Sequence, residues 1–347
     1  MKKKSLAAKK KIRNSILNNL RNKRIKKIFY HFKIKLEKSL NNKPKIAVAI
    51  SGGPDSLALA FLAKCFSLTN NLNSMFFIVD HKLRKESSRE AKLVKLLLKK
   101  YGINCKILEW KGKKPNSNIQ SIARNERYNL LKATCKKNNI SHLLVGHHID
   151  DLYENFFIRL LRGSGLKGLS SFGETIKDEE NFYILRPLIN YKKKDLIYIS
   201  KFVFNFFITD PSNENLFFLR SRVRKLIADL NKEGFDKKKL NLTIKNLKIA
   251  NQGIDFYVKK SIQDNSKFIE RRKTYILNKY FFKQSDEVIF RSLSLVLKKI
   301  SDRYYSPRGR SISDAILKIN SSKCKKFTLG GCFVEKINET VLITREN

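Results

Sequence analysis

Residues whose types and spacing could do chemistry fall in a few short stretches. Ser51-Gly52-Gly53-Pro54-Asp55-Ser56 follows the apolar run Lys45 to Ile50 and precedes an apolar stretch of helical length, Leu57 to Phe66. Its two glycines let a backbone approach an anion closely, and the N–H groups of the helix start that follows favour phosphate. Ser51 and Ser56 add hydroxyl donors. The stretch is neither GxxxxGKS/T nor GxGxxG, so it has no P-loop lysine and is not a dinucleotide fingerprint. A second stretch, Gly146-His147-His148-Ile149-Asp150-Asp151-Leu152-Tyr153-Glu154, brings two imidazoles next to carboxylates. Asp151 and Glu154 are three apart and share a helix face. Neutral imidazoles at His147 and His148 suit proton transfer or phosphate contact, and metal ligation ranks lower because Mg²⁺ prefers oxygen.

The elements that must hold these groups are legible in the apolar pattern. Lys45 to Ile50, Ser74 to Asp80, Asn104 to Trp110 and His142 to Gly146 read as buried strands. Helical stretches alternate with them at Leu57 to Phe66, Ser87 to Tyr101, Ser117 to Asn138 and Asp150 to Leu161. Strands alternating with helices of that length predict βαβ units, right-handed crossovers and a doubly wound parallel sheet. Ligands of such sheets bind beyond the carboxyl ends of the strands, where both stretches fall. His81 lies at another strand end and is a candidate to approach a nucleotide. His142 precedes its strand and reads as structural.

Charge names a partner class. The 347 residues carry 74 Lys and Arg against 30 Asp and Glu, a formal net charge of +44. Such a field concentrates polyanions, with nucleic acid first and an anionic membrane surface second. Arg159, Arg162, Arg186, Arg220, Arg222 and Arg224 lie beside Gly-rich or turn segments and suit phosphate contacts. The five cysteines are scattered without a CxxC pair, which signals neither a zinc ribbon nor a cysteine-bound cluster and fits a reducing cytoplasm. The apolar stretches are too short to span a bilayer, and the basic N-terminus lacks the apolar core of a secretory signal.

Ser51 to Ser56 resembles the SGGxDS loop of the N-type ATP pyrophosphatases. Further blocks narrow the resemblance: Val79 to Arg84 with Ser87 and Glu90, Gln120 to Tyr128, Gly146 to Glu154, Arg159 to Gly165 with Gly168-Leu169, Arg186-Pro187-Leu188, and Asp210 to Asn213. In order and spacing, over residues 45 to 225, these are similar to the tRNA(Ile)-lysidine synthetase family. Asn155 stands where that family usually has Thr, and Leu152-Tyr153 replace a more polar pair.

The resemblance implies a Rossmann-like ATP-pyrophosphatase domain, followed by a helical region and a small C-terminal α+β module. It implies adenylation of the first anticodon cytidine of a CAU-bearing tRNA(Ile) with ATP and Mg²⁺. L-Lysine then attacks, giving lysidine, AMP and pyrophosphate. Carried over residue by residue, Ser51, Gly52, Gly53, Pro54, Asp55, Ser56, His81 and His148 are ATP contacts, with Asp55 a candidate also for Mg²⁺ or the second substrate. Asp55, His147, Asp151 and Glu154 are the catalytic candidates. Asp55, Asp151 and Glu154 suit the amino groups of lysine, and Arg124 or Arg127 its carboxylate. Arg159, Arg162, Arg220, Arg222 and Arg224 are assigned to tRNA. The family also implies a homodimer.

The expected division is a basic arm over 1–42, a catalytic domain over 43–225, a helical tRNA-binding region over 226–290 and a C-terminal module over 291–347. Lys325 to Thr344 reads as two strands around a turn. Two rival functions are a different tRNA-directed pyrophosphatase, such as a thiolase, and a nonenzymatic tRNA-binding protein. The first would need a cysteine pair, and the second leaves the set Asp55, His147, Asp151 and Glu154 without a purpose.

Overall fold

The computed structural model describes residues 11–40, 45–83, 86–112, 119–178, 180–209, 216–302, 306–321 and 325–346, the side chains of 119–121 excepted. The chain divides into two compact units, Met1–Asp236 and Lys237–Asn347. Arg84, Asp210 to Asn213, Cys324 and the side chains of Gln120 and Ser121 therefore lie outside the described residues.

In the first unit the strands are β1 (Lys45–Ile50), β2 (Asn73–Asp80), β3 (Cys105–Glu109), β4 (His142–Leu144), β5 (Thr175–Lys177) and β6 (Tyr183–Leu185). Their order is β3-β2-β1-β4-β6-β5. Every pairing is parallel except that of β5 with β6. β1 is central, and its run KIAVAI is apolar on both faces because helices cover both. The order reverses between β1 and β4, and that crevice is where a doubly wound sheet binds ligands.

Helix Pro54–Thr69 follows β1 and is apolar on nearly every side, with Leu57 through Ala63 all 0% exposed. An all-round apolar helix belongs inside a core. Helix Lys193–Phe204 packs against it, and Ser200 Oγ, itself buried, donates to the Pro54 carbonyl at 2.6 Å. The basic segment is not a separate arm over its described part. Helix Lys23–Leu40 buries Ile25, Ile28, Phe29, Phe32, Leu36 and Leu40 in the same core as β1. Those apolar positions recur at helical spacing beneath a lysine-rich outer face.

The second unit begins with helix Lys237–Asn265. Its strands are β7 (Ser266–Ile269), β8 (Thr274–Leu277), β9 (Lys326–Leu329), β10 (Cys332–Ile337) and β11 (Thr340–Arg345), in the order β7-β8-β11-β10-β9. All its pairings are antiparallel. The expected two C-terminal strands are three, because Asn338 adopts φ 53° and makes a second tight turn after the one at Gly330-Gly331. The hairpin of β7 and β8 interrupts a segment read as helical, its strands being too short to show an alternating pattern. Among the described residues, no helix is long and apolar enough to cross a membrane.

Candidate active site

The loop after β1 is shaped by its own side chains. Gly52 adopts φ +86°, which an L side chain resists, and a Cβ there would sit 2.8 Å from Val94 Cγ2. Its carbonyl accepts from the Ile208 N–H at 3.0 Å. Pro54 opens the helix, where its missing N–H costs nothing. The Ser56 hydroxyl donates to the Gly53 carbonyl at 2.9 Å and accepts from the Ser51 N–H at 3.1 Å. Ser56 was expected to donate to phosphate, yet it is buried and closes the loop on itself. Ser51 is exposed, and its hydroxyl donates to that of Ser56 at 3.2 Å.

β4 delivers the second stretch to the same place. A Cβ on Gly146 would lie 3.1 Å from the backbone carbon and oxygen of Asp55, so only glycine lets the two loops approach this closely. His148 caps helix Ile149–Leu160: its Nδ1 accepts from the Asp150 N–H, and its own N–H donates to Asp151 Oδ2 at 3.0 Å. His148 Nε2 lies 3.6 Å from Asp151 Oδ2 and 3.8 Å from Asp55 Oδ2. Burial pulls the His148 imidazole down, but Asp150, Asp151 and Asp55 outweigh it and hold it above its ordinary value.

Burial also pushes the Asp151 carboxyl upward, and the His148 charge, the His148 N–H and Arg220 reverse that and hold it below its ordinary value. Asp55 Oδ2 accepts from Lys193 Nζ at 2.5 Å, whereas Oδ1 is buried with no hydrogen-bond partner among the described residues. His81, after β2, leaves Nδ1 buried with no hydrogen-bond partner among the described residues, and burial together with the Arg127 charge holds its imidazole below the ordinary value.

His147 is held differently. Arg186, at the end of β6, donates from Nε to His147 Nδ1 at 3.1 Å. Burial, joined by the charges of Arg186, Arg124 and Arg127, pulls the His147 imidazole down to about 3 against the attraction of Asp151. Arg127 is itself held down by burial and by its neighbours Arg124 and Arg220. Arg124, Arg127 and Arg186 thus set three positive charges against the one negative charge of Asp151 at His147, a balance that suits an anion.

Of the five arginines assigned to tRNA, the three on helix Leu219–Lys232 separate by helical phase. Arg220 and Arg224 share one face of helix Leu219–Lys232, and both turn to Glu154. Arg224 Nε lies 2.6 Å from Glu154 Oε1, and Arg220 Nε lies 3.4 Å from Oε2. Burial pushes the Glu154 carboxyl up, and the hydrogen bond from Arg224 pulls against it. Glu154, 3% exposed, therefore faces two guanidiniums, and its expected part in lysine binding would be shared with them. Arg222 lies on the opposite face and is exposed, as is Arg162, and Arg159 is tied to Asn155 at 2.9 Å.

Comparisons with known proteins give this geometry a family. Residues 21–230 match the family described as ATP_bind_3, a PP-loop domain. A tRNA(Ile)-lysidine synthase of Orientia tsutsugamushi is 35% identical over 89% of this chain and 71% of its own length. Another, from a Wolbachia of Brugia malayi, is 32% identical over 87% of this chain and 71% of its own length. The chain belongs to the tRNA(Ile)-lysidine synthase family. A solved U34-tRNA thiolase, NcsA of Methanococcus maripaludis, shares the fold with a TM-score of 0.50 at 20% identity, over 60% of this chain and 75% of that one.

Against that thiolase, the described cysteines of this family member are free and buried, and burial pushes the Cys105 and Cys135 thiols up to about 12. Sequence reasoning leaves Lys193 out of the site, because it sits in a run of three lysines that nothing in the sequence separates. Arg186 is singled out for phosphate contact, and its pairing with His147 is not legible because it follows a strand only three residues long.

Proposed function

We propose that this protein joins L-lysine to the first anticodon cytidine of a CAU-bearing tRNA(Ile). The cytidine O2 attacks the α-phosphorus of ATP and pyrophosphate leaves. The side-chain amine of lysine then attacks C2, the C2–O bond breaks, AMP leaves and one proton is released. The observation that carries this reading is the convergence of the SGGPDS loop, the His147–Asp151 segment and the arginine cluster at the carboxyl ends of β1, β4 and β6.

Each group has a part consistent with its surroundings. The loop N–H groups and the Ser51 hydroxyl hold the departing pyrophosphate, and Ser56 keeps the loop in shape. Lys193 supplies the cation that a P-loop lysine supplies elsewhere. Asp55 Oδ1, buried and unpartnered, fits a magnesium ion, which takes one or two carboxylates beside phosphate oxygens. Magnesium, when bound, offsets charge on the phosphates. Asp151, held ionised, attracts the lysine ammonium, and Arg124 or Arg127 holds its carboxylate. Exposed Arg162 and Arg222, with Arg159, contact tRNA phosphates. The family suggests a homodimer, and a tRNA substrate is consistent with a reaction in the cytoplasm.

The test is incorporation of labelled L-lysine into CAU-anticodon tRNA(Ile) with ATP and Mg²⁺, beside Asp55→Ala. ATP-dependent incorporation with release of AMP, absent in the variant, is expected. Pyrophosphate release without incorporation would assign a different nucleophile.

A further inference from the structure

Arg186 is 3% exposed, and its contacts hold its guanidinium beside one imidazole nitrogen. Its Nε donates to His147 Nδ1 at 3.1 Å, and its Nη1 donates to the Gly173 carbonyl at 2.7 Å. The guanidinium carbon stands 4.3 Å over the Phe172 ring, and that ring meets His147 edge-on at 5.5 Å. The Arg186 backbone N–H donates to the Glu174 carbonyl at 2.7 Å, which fixes the root of the side chain. Guanidinium has no acceptor and does not give up its proton in proteins. Nδ1 must therefore present its lone pair, and in the neutral ring Nε2 carries the hydrogen.

Resting on the function proposed above, we infer that Arg186 is a positioning residue that fixes His147 as the Nε2–H tautomer, making His147 a hydrogen-bond donor to the reacting phosphate and not a proton acceptor. A ring that already gives its Nδ1 lone pair to Arg186 has no second lone pair to offer. The charges facing it agree: Arg186, Arg124 and Arg127 oppose a second ring proton, and Asp151 alone favours one. A neutral, oriented donor is what a developing phosphate charge needs, and it keeps the same form across the working pH range.

Nitrogen NMR of ¹⁵N-histidine-labelled full-length protein tests this directly. Between about pH 5 and 8, where ordinary imidazoles titrate, unliganded His147 should show the proton on Nε2 and no titration. Arg186→Met should bring mixed tautomers and titration toward neutrality, and Arg186→Lys, which keeps a donor, should restore the single tautomer. A wild-type ring protonated on Nδ1, or titrating in that window, would overturn the inference whether or not Arg186→Met folds. Lysine incorporation adds a second reading. His147→Gln places an amide N–H near Nε2 and should retain activity within about tenfold, whereas His147→Ala should lose about 10²- to 10³-fold, the usual cost of one such donor. Equal loss in both variants would mean proton acceptance and sink the idea. Failure of the wild type to incorporate lysine would remove the proposed function and leave the tautomer result standing.

Discussion

Each unit buries one arginine among the described residues, Arg186 in the first and Arg291 in the second, and the two are used in opposite ways. Arg291 donates to Glu287 at 2.7 Å, to Asn251 at 2.7 Å and to Asp255 at 3.0 Å, which ties helix Asp286–Ser301 to helix Lys237–Asn265. Its charge meets two carboxylates within its own unit. Arg186 meets a ring nitrogen, a carbonyl and an aromatic face, with no carboxylate in ion-pair contact among the described residues. A buried charge is tolerated when paired and is costly otherwise. The paired arginine is therefore a clip between helices. The unpaired one contributes to a field that favours an anion.

The same contrast separates Glu154 from Asp151 within the first unit. Glu154 faces two guanidiniums, whereas Asp151 accepts from the His148 N–H and is held below its ordinary value by the His148 charge. Sharing a helix face did not give them the same task.

Substitutions can break this comparison, beginning with the most damaging. Asp55→Ala removes the carboxylate that would hold magnesium against the phosphates and should lower lysine incorporation by about 10²- to 10³-fold, the usual cost of losing one group that stabilises developing charge. An assay of AMP release would show the same loss. Glu154→Gln and Arg291→Met each break a buried ion pair and should cost about 2–4 kcal/mol in urea unfolding. They should differ in catalysis. Arg291→Met should leave the KM for lysine unchanged in protein that remains folded. Glu154→Gln should change kcat through displaced Arg220 and Arg224, and a rise in lysine KM without loss of stability would put Glu154 in the substrate site.

His147 gives a pH signature. Its folded value lies near 3, well below the ordinary 6.5, so the unfolded chain takes up its proton first. Its contribution to stability is complete above the ordinary value and is lost as pH falls from there toward the folded one. Wild type should lose up to about 1.4 kcal/mol per pH unit in that window relative to His147→Gln. Parallel stability curves for the two proteins would contradict a neutral buried ring. The smallest effect belongs to Arg222→Ala, which should weaken tRNA binding a few-fold and reduce the salt slope by about one. An unchanged slope would remove Arg222 from the tRNA surface.

Much of this arrangement is legible in the sequence. The run KIAVAI, the glycine pair after it and the acids after His148 placed the loop and the cluster at strand ends, because periodicity and turn chemistry are local properties. Boundaries held to within a few residues at β2, β3 and helix Ser87–Lys100. The hairpin of β7 and β8, the third C-terminal strand and the three-residue β6 were not legible. Strands that short carry no period, and their pairing comes from neighbours distant in sequence.

The basic segment shows the same limit. Its lysines suggest a free arm, while the spacing of Ile25, Ile28, Phe32 and Leu36 makes it part of the core. Sequence alone determined the fold class, the phosphate loop and the residue types gathered around it, since each is written in adjacent residues. Tertiary structure alone decided which arginine meets Glu154, that Lys193 reaches Asp55 and that Arg186 faces His147. Those pairs are 70, 138 and 39 residues apart, and only the packing of β4 beside β1 and β6 sets their distances.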